Sequence, residues 1–376
     1  MELTNDFSEF LKEIRPTQTM LTNCKDGHTL LRDRLEAEES LQDCYVSDFL
    51  QGSYRRSTAV RPKGDQRSDV DIIVVTNLSE EKYTPKKAMA IFEPFLEKYY
   101  KDKWRPQGRS FGIELSTVDM DLVITSAPSE IDIENLKSEA VRTSDSVVSA
   151  PDWRLTPSWL SLRSREFNFS AKALLELSSK QEEWKLSPLR IPDRDAGIWE
   201  DTHPLEQIRV TRDLNKNTNF HFVNVVKSIK WWWLDQLEDP QPPKGFPLER
   251  LIGECCPIGI TSVAEGITRT FETIISLYGY HVSNSTKPVL PDYGVTSHDV
   301  FKRVTPEEFA TFYGLVQPAA LLAREAFNST DRTESGNLWR ELLGNKFPKP
   351  PDNGGSKGQG YTPPDAPAVP GTSRYA

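Results

Sequence analysis

Sulfur and histidine are scarce in this sequence: 376 residues carry four cysteines, four methionines and five histidines. Cys24, Cys44, Cys255 and Cys256 have neither metal-ligand nor disulfide spacing. The adjacent Cys255-Cys256, in a Leu-Ile-Gly-Glu-Cys-Cys context, reads as buried helix packing. Nor is any histidine needed for the chemistry argued below. His203, His221, His281 and His298 read as packing or capping residues, with His298 and Asp299 as a structural hydrogen-bond pair. Long apolar runs are missing too, since nothing approaches the ~18 residues needed to span a bilayer, and no charged-then-apolar signal opens the chain. No membrane association is expected, and the cytoplasm is the expected location. Positive charge is in deficit, with 46 Lys and Arg against 55 Asp and Glu, a net charge of −9. That balance argues against a broad, sequence-independent nucleic-acid groove and favours small anions held in a local basic pocket.

What is present begins with length. At 376 residues the chain is long enough for two domains with sizeable cores. It is organised around residues 51–71, QGSYRRSTAVRPKGDQRSDVD, and the apolar strand Ile72-Ile73-Val74-Val75 that follows. Gly52-Ser53 ends one apolar run and opens a polar loop. Sixteen residues after Ser53 comes Asp69, and then Asp71. Residues i and i+2 of a strand share a face, so these two carboxylates project side by side. Paired carboxylates suit a hard divalent cation such as Mg²⁺, which binds oxygen and bridges to phosphates. Arg55, Arg56, Arg61, Lys63 and Arg67 lie between, a cationic sleeve for a polyphosphate. The stretch reads as a nucleoside-triphosphate and metal site.

Residues 5–15 have the spacing of a short amphipathic helix ending before Pro16, and a longer helix is expected from Thr29 to Leu41. Thr84-Pro85 caps a helix running to Tyr99, kinked at Pro94. Residues 110–125, SFGIELSTVDMDLVIT, read as further strands of the same sheet. Asp121 is the expected third carboxylate, because Met120 and Leu122-Val123-Ile124 frame it as Val70 and Ile72-Ile73-Val74 frame Asp71. Asp119 is then a solvated strand position or an outer partner. From about residue 150 tryptophans cluster and the apolar spacing turns helical, with helices predicted over 204–215, 219–237, 247–256, 261–278, 306–327 and 335–343. Residues 346–376 hold seven Pro and five Gly and cannot bury enough surface to offset ordering, which predicts a flexible tail. The expected division is 1–150, a sheet core with N-terminal helices; 151–345, a helical domain forming the other wall of a cleft; and 346–376.

Strand, Gly-Ser, basic loop, Asp-x-Asp and strand in that order resemble the polymerase-β-like nucleotidyltransferases. The resemblance narrows along the chain. Leu50-Gln51-Gly52-Ser53, Ser68-Asp69-Val70-Asp71-Ile72, Gly108-Arg109-Ser110-Phe111-Gly112 and Val118-Asp119-Met120-Asp121-Leu122 carry it through the first part. Thr202-His203-Pro204-Leu205, Ile229-Lys230-Trp231-Trp232, Tyr293-Gly294-Val295 and Leu338-Trp339-Arg340-Glu341-Leu342 carry it through the helices. The chain is similar to the bacterial cGAS/DncV-like nucleotidyltransferases of SMODS type, clade D.

That resemblance implies an α+β fold, a polymerase-β-like sheet with flanking helices plus an α-helical second domain. It implies a template-independent synthase making a cyclic oligonucleotide second messenger, cyclic AMP-AMP-GMP from ATP and GTP, which activates an effector in anti-phage signalling. Carried over, Asp69, Asp71 and Asp121 bind two Mg²⁺ ions, with Mn²⁺ as a substitute. Gln51, Gly52, Ser53 and Arg56 hold the triphosphate, Lys230 approaches the donor phosphates, and Phe246 lies against the donor base. At that last place Gly245 stands where relatives often have Ser. The tail also acquires a second reading beside a frayed end: a ubiquitin-transfer-like partner would conjugate the chain through Ala376. Rival readings are a nucleotidyltransferase acting on an RNA end, one modifying a protein or tRNA, and a non-enzymatic nucleotide sensor.

Overall fold

A computed structural model describes residues 1–127, 188–236 and 241–351. A five-stranded sheet forms the first half, built from β1 (Tyr45–Gln51), β2 (Ser68–Thr76), β3 (Trp104–Pro106), β4 (Phe111–Glu114) and β5 (Val118–Ile124) in the order β1-β2-β5-β4-β3. β2 is antiparallel to β1 and parallel to β5. The two-residue period sorts β2 cleanly. Val70, Ile72 and Val74 join a core with α2 (Gln18–Ala37), α4 (Pro85–Ala90) and α5 (Glu93–Tyr100). Ile73 and Val75 face the other way, in a smaller core with Phe49, Val123, Leu205 and Ile208. Asp69 and Asp71 share the parity of that second face.

Local chemistry explains the departures from expectation. α2 begins at Gln18 rather than Thr29, because the Thr17 hydroxyl accepts from the Met20 amide at 3.2 Å and caps it. The expected kinked helix over 84–99 is two helices, and Pro94 lies in the first turn of the second, where a missing N–H costs nothing. Ahead of the first predicted helix stands a hairpin that the sequence reading did not anticipate, β6 (Leu189–Asp193) with β7 (Ile198–Thr202), turning through Gly197 at φ +70°. Leu189 closes the second face of the sheet.

The other half is helical: α6 (Pro204–Asn217), α7 (Phe222–Gln236), α8 (Phe246–Cys255), α9 (Val263–Ser283), α10 (Pro306–Asn328) and α11 (Arg332–Leu343). Trp232 and Trp233 meet Phe271 and Phe312 edge-on at 4.8 and 5.0 Å. α1 (Thr4–Ile14) buries Phe7, Phe10, Leu11 and Ile14 in this core rather than against the sheet. Phe347, which composition assigns to the tail, is fully buried there, 5.1 Å from the Phe7 ring. Cys255 and Cys256 are free and buried, as expected, with burial pushing their thiols up to about 12 and about 11. His203 caps α6, its Nδ1 accepting from the Glu206 amide. Asp299, however, pairs with Lys287 at 2.8 Å and not with His298. Trp153, Trp159, Trp184, Leu237 and Ala376 lie outside the described residues.

Candidate active site

Parallel pairing sets Asp69 beside Asp119 and Asp71 beside Asp121. One oxygen from each of Asp69, Asp71 and Asp121 lies within 4.8 Å of the others, and among the described residues this is the one such cluster of metal-ligating side chains. Asp119 instead pairs with Arg67 at 2.7 Å. β1 delivers Gln51 opposite Asp71, and Gly52 then turns the chain into α3 (Gly52–Arg55). Gly52 has φ +74°, and a Cβ there would lie 1.7 Å from Asp71 Oδ2. Only glycine allows the turn to sit on that carboxylate. Ser53 follows, half-exposed.

The electrostatics fit a cation. Asp69 keeps an outer edge exposed, yet crowding by the cleft walls, and then repulsion from Asp71 and Asp121, push its pKa up. Burial and Asp121 push Asp71 up as well, against the pull of Arg56. Asp121 is raised by burial, while Gln107 Nε2, donating to its Oδ1 at 3.2 Å, works the other way. An all-oxygen set of three carboxylates that repel one another is the donor set a hard divalent cation neutralises.

The facing wall carries a buried ion cluster that the sequence reading missed. Glu249 on α8 accepts from Arg56 Nε at 3.1 Å and from Lys230 Nζ at 2.9 Å; Lys230 also donates to the Thr58 carbonyl at 3.1 Å. Burial alone would raise the Glu249 pKa, but the two cations reverse it and hold it at about 2. The cluster joins the basic loop to two helices of the other half. Its only local signal was a carboxylate between Leu248 and Leu251, both buried. Phe246 lies under the Arg56 guanidinium at 5.1 Å and meets Tyr293 edge-on at 6.2 Å. Gly245 before it has φ +62°, which favours glycine over the Ser expected there.

Lys227, beside Lys230 on α7, is buried, and burial, followed by the charges of Arg15 and Lys230, pushes its pKa well below the usual lysine value. One sequence expectation is corrected. The cationic sleeve is not held open around a polyphosphate. Arg61 donates to the Arg15 carbonyl, Lys63 pairs with Asp235 at 2.6 Å and Arg67 with Asp119, so these three tie the loop down. Arg56 remains at the site.

Known proteins resemble this chain in sequence and in fold. Residues 1–139 match the family model of the second messenger oligonucleotide or dinucleotide synthetase (SMODS) domain. Over 383 aligned residues, covering all of both chains, the sequence is 47% identical to a cyclic AMP-AMP-GMP synthase of Enterobacter hormaechei subsp. hoffmannii. It is 46% identical over the same span to a probable cyclic AMP-AMP-GMP nucleotide synthase of Salmonella paratyphi B. The solved CdnC of E. coli MS115-1, in complex with HORMA-deltaN, superposes with a TM-score of 0.60 at 14% identity over 92% of this chain and 98% of its own. That likeness is of fold, a polymerase-β-like sheet with a helical domain. No helix among the described residues is long and apolar enough to cross a membrane. Identity of this extent over full length is decisive: the chain belongs to the second messenger oligonucleotide or dinucleotide synthetase family, the cGAS/DncV-like nucleotidyltransferases.

Proposed function

We propose that this protein is a template-independent synthase of cyclic AMP-AMP-GMP, made from ATP and GTP in the cytoplasm as an anti-phage second messenger of the clade D type. The observation carrying this reading is the convergence of Asp69, Asp71 and Asp121 under the Gly52-Ser53 turn, facing Arg56 and Lys230. The proposed sheet side is drawn from 1–150 and the facing wall from 151–345, except that α1 packs with the helices and Leu189 of β6 with the sheet.

Asp69 and Asp71 would hold one Mg²⁺, and all three carboxylates the second. When bound, the ions neutralise triphosphate charge and acidify the acceptor hydroxyl. Ser53 and the Gly52 turn orient the donor triphosphate, with Gln51 beside them. The acceptor 3′-oxygen attacks the α-phosphorus, the bridge from α-phosphorus to the β-phosphate oxygen breaks, and pyrophosphate leaves. Asp121 would accept the hydroxyl proton on its carboxylate. Lys230 and Arg56 counter the charge on the departing pyrophosphate. Phe246 offers its ring to the donor base once the Arg56 guanidinium yields or the base takes the opposite face.

Incubation with all four triphosphates and Mg²⁺, followed by phosphatase and mass spectrometry, is expected to give a phosphatase-resistant trinucleotide containing two A and one G. A requirement for RNA primer, or label transferred to protein or tRNA, would favour the rival nucleotidyltransferase readings.

Conjugation through Ala376 by a ubiquitin-transfer-like partner is part of the same proposal. Deleting 352–376 is expected to leave synthesis and thermal stability at wild-type values while abolishing conjugation. Deleting from 347 instead removes the buried Phe347, a loss on the scale of ~3–5 kcal/mol for a core aromatic, and should lower Tm sharply. Equal melting temperatures for the two truncations, read by scanning calorimetry, would count against that packing.

A further inference from the structure

Residues 107–112 take no part in the transfer steps proposed above, yet they reach the third carboxylate. The chain turns tightly between β3 and β4, with the Gln107 amide nitrogen donating to the Ser110 carbonyl at 2.8 Å. The Gln107 side chain lies back over β4, and its Nε2 donates to Asp121 Oδ1 at 3.2 Å. Its Oε1 accepts from the Ser110 hydroxyl at 2.9 Å, and that contact decides which end of the amide faces the carboxylate. Gly112 of β4 pairs with Asp121 of β5. A Cβ on Gly112 would lie 2.6 Å from Gln107 Nε2, so the space left by the missing side chain is where the amide sits.

The turn is also clamped from outside. The Arg194 amide donates to the Gly108 carbonyl at 2.8 Å, and Arg109 pairs with Asp193 at 3.0 Å and with Glu200. The β6–β7 hairpin thereby holds the turn in place. No other side chain among the described residues hydrogen-bonds to Asp121. Arg105, whose charge also acts on Asp121, is paired with Glu114. A neutral amide orients a carboxylate without cancelling the negative charge that an ion requires.

We infer that Gln107 is a positioning residue for the metal site, fixing the rotation of Asp121 so that its carboxylate is aimed at an ion in advance. The inference rests on the reading of the three carboxylates as a two-ion site. In that reading Asp121 serves one ion alone, the one that acidifies the acceptor hydroxyl. A carboxylate free to rotate loses that freedom each time an ion binds, and the loss weakens binding. Removing an outer partner of this kind costs ~10–100-fold in metal affinity or activity.

The test titrates metal-free, full-length wild type, Gln107→Leu, Gly112→Ala and Asp71→Asn with Mn²⁺, followed by electron paramagnetic resonance. The binding that Asp71→Asn removes is the site's own. Gln107→Leu is expected to weaken that binding at least tenfold. Gly112→Ala keeps Gln107 and only displaces its amide, and it is expected to weaken the binding in the same direction. In the synthesis assay, the Mg²⁺ concentration giving half-maximal rate should rise by a similar factor for Gln107→Leu, while the rate at saturating Mg²⁺ falls less. A side chain that merely supported the fold would lower the rate at every Mg²⁺ concentration and leave Mn²⁺ affinity unchanged. Wild-type Mn²⁺ affinity in a folded Gln107→Leu protein overturns the inference. Should that variant fail to fold, wild-type affinity in Gly112→Ala overturns it instead. Equal Mn²⁺ binding by wild type and Asp71→Asn would sink the two-ion site itself.

Discussion

Asp71→Asn is expected to abolish nucleotidyl transfer and, in EDTA, to raise the melting temperature above that of wild type. The activity loss should exceed about 10³-fold, the scale of removing ~4 kcal/mol of transition-state stabilisation. The gain in heat stability has a separate origin. Burial and the neighbouring carboxylates raise the pKa values of Asp69 and Asp71 in the folded protein. A carboxylate so raised destabilises the fold once it ionises. Its stabilising contribution is complete below the unfolded pKa near 3.8 and is lost as pH climbs through the raised folded values. The metal-free wild type should therefore lose Tm between acidic pH and pH 8, and the Asn variant should lose less. Mg²⁺ should restore wild-type stability, by ~2.7 kcal/mol at a hundred times its Kd, and do little for the variant. Full synthesis by a folded Asp71→Asn protein would refute the assignment, and so would a Mg²⁺-induced Tm rise as large as that of wild type.

Glu249→Gln should destabilise the protein more than any surface substitution and yet make it more responsive to nucleotide. The side chain is buried between Arg56 and Lys230, and the exchange removes the carboxylate that both cations contact directly. Breaking such a cluster from one side costs ~3–5 kcal/mol. The Glu249 pKa is depressed to about 2. Its contribution is therefore complete above the ordinary carboxylate value of 4.5 and fades as pH falls toward 2. ATP with Mg²⁺ restores negative charge beside the two cations, so the Tm rise on adding it should be larger in the variant than in wild type. Equal nucleotide-induced shifts in thermal scans would mean that Arg56 and Lys230 do not face the triphosphate.

Much of the site was legible because its logic is local. Two aspartates two residues apart on an apolar strand can only share a face, and Asp121 was separable from Asp119 by the apolar frame around it. The register of β2 with β5 brings Asp121, and not Asp119, into the cluster. What stayed hidden depends on partners far along the chain. Lys63 meets Asp235 across 172 positions and Arg56 meets Glu249 across 193, so no spacing rule could tell cations that tie down a loop from one left at the cleft. The β6–β7 hairpin was lost for another reason: five-residue strands offer little periodicity, and the surrounding sequence reads as helix. Phe347 was misassigned because Pro and Gly dominate the segment around it, while a single aromatic decides where packing ends.

The placement of α1 bears on biosynthesis. Its Phe7 and Phe10 lie against Trp339 and Phe347, so full burial of its apolar side waits for residues synthesised far later. Domains ordinarily fold in turn as the chain emerges, and contacts of such long sequence separation form slowly. Here the helical core is closed by α1 and Phe347 together, so its packing is complete only once both have been synthesised.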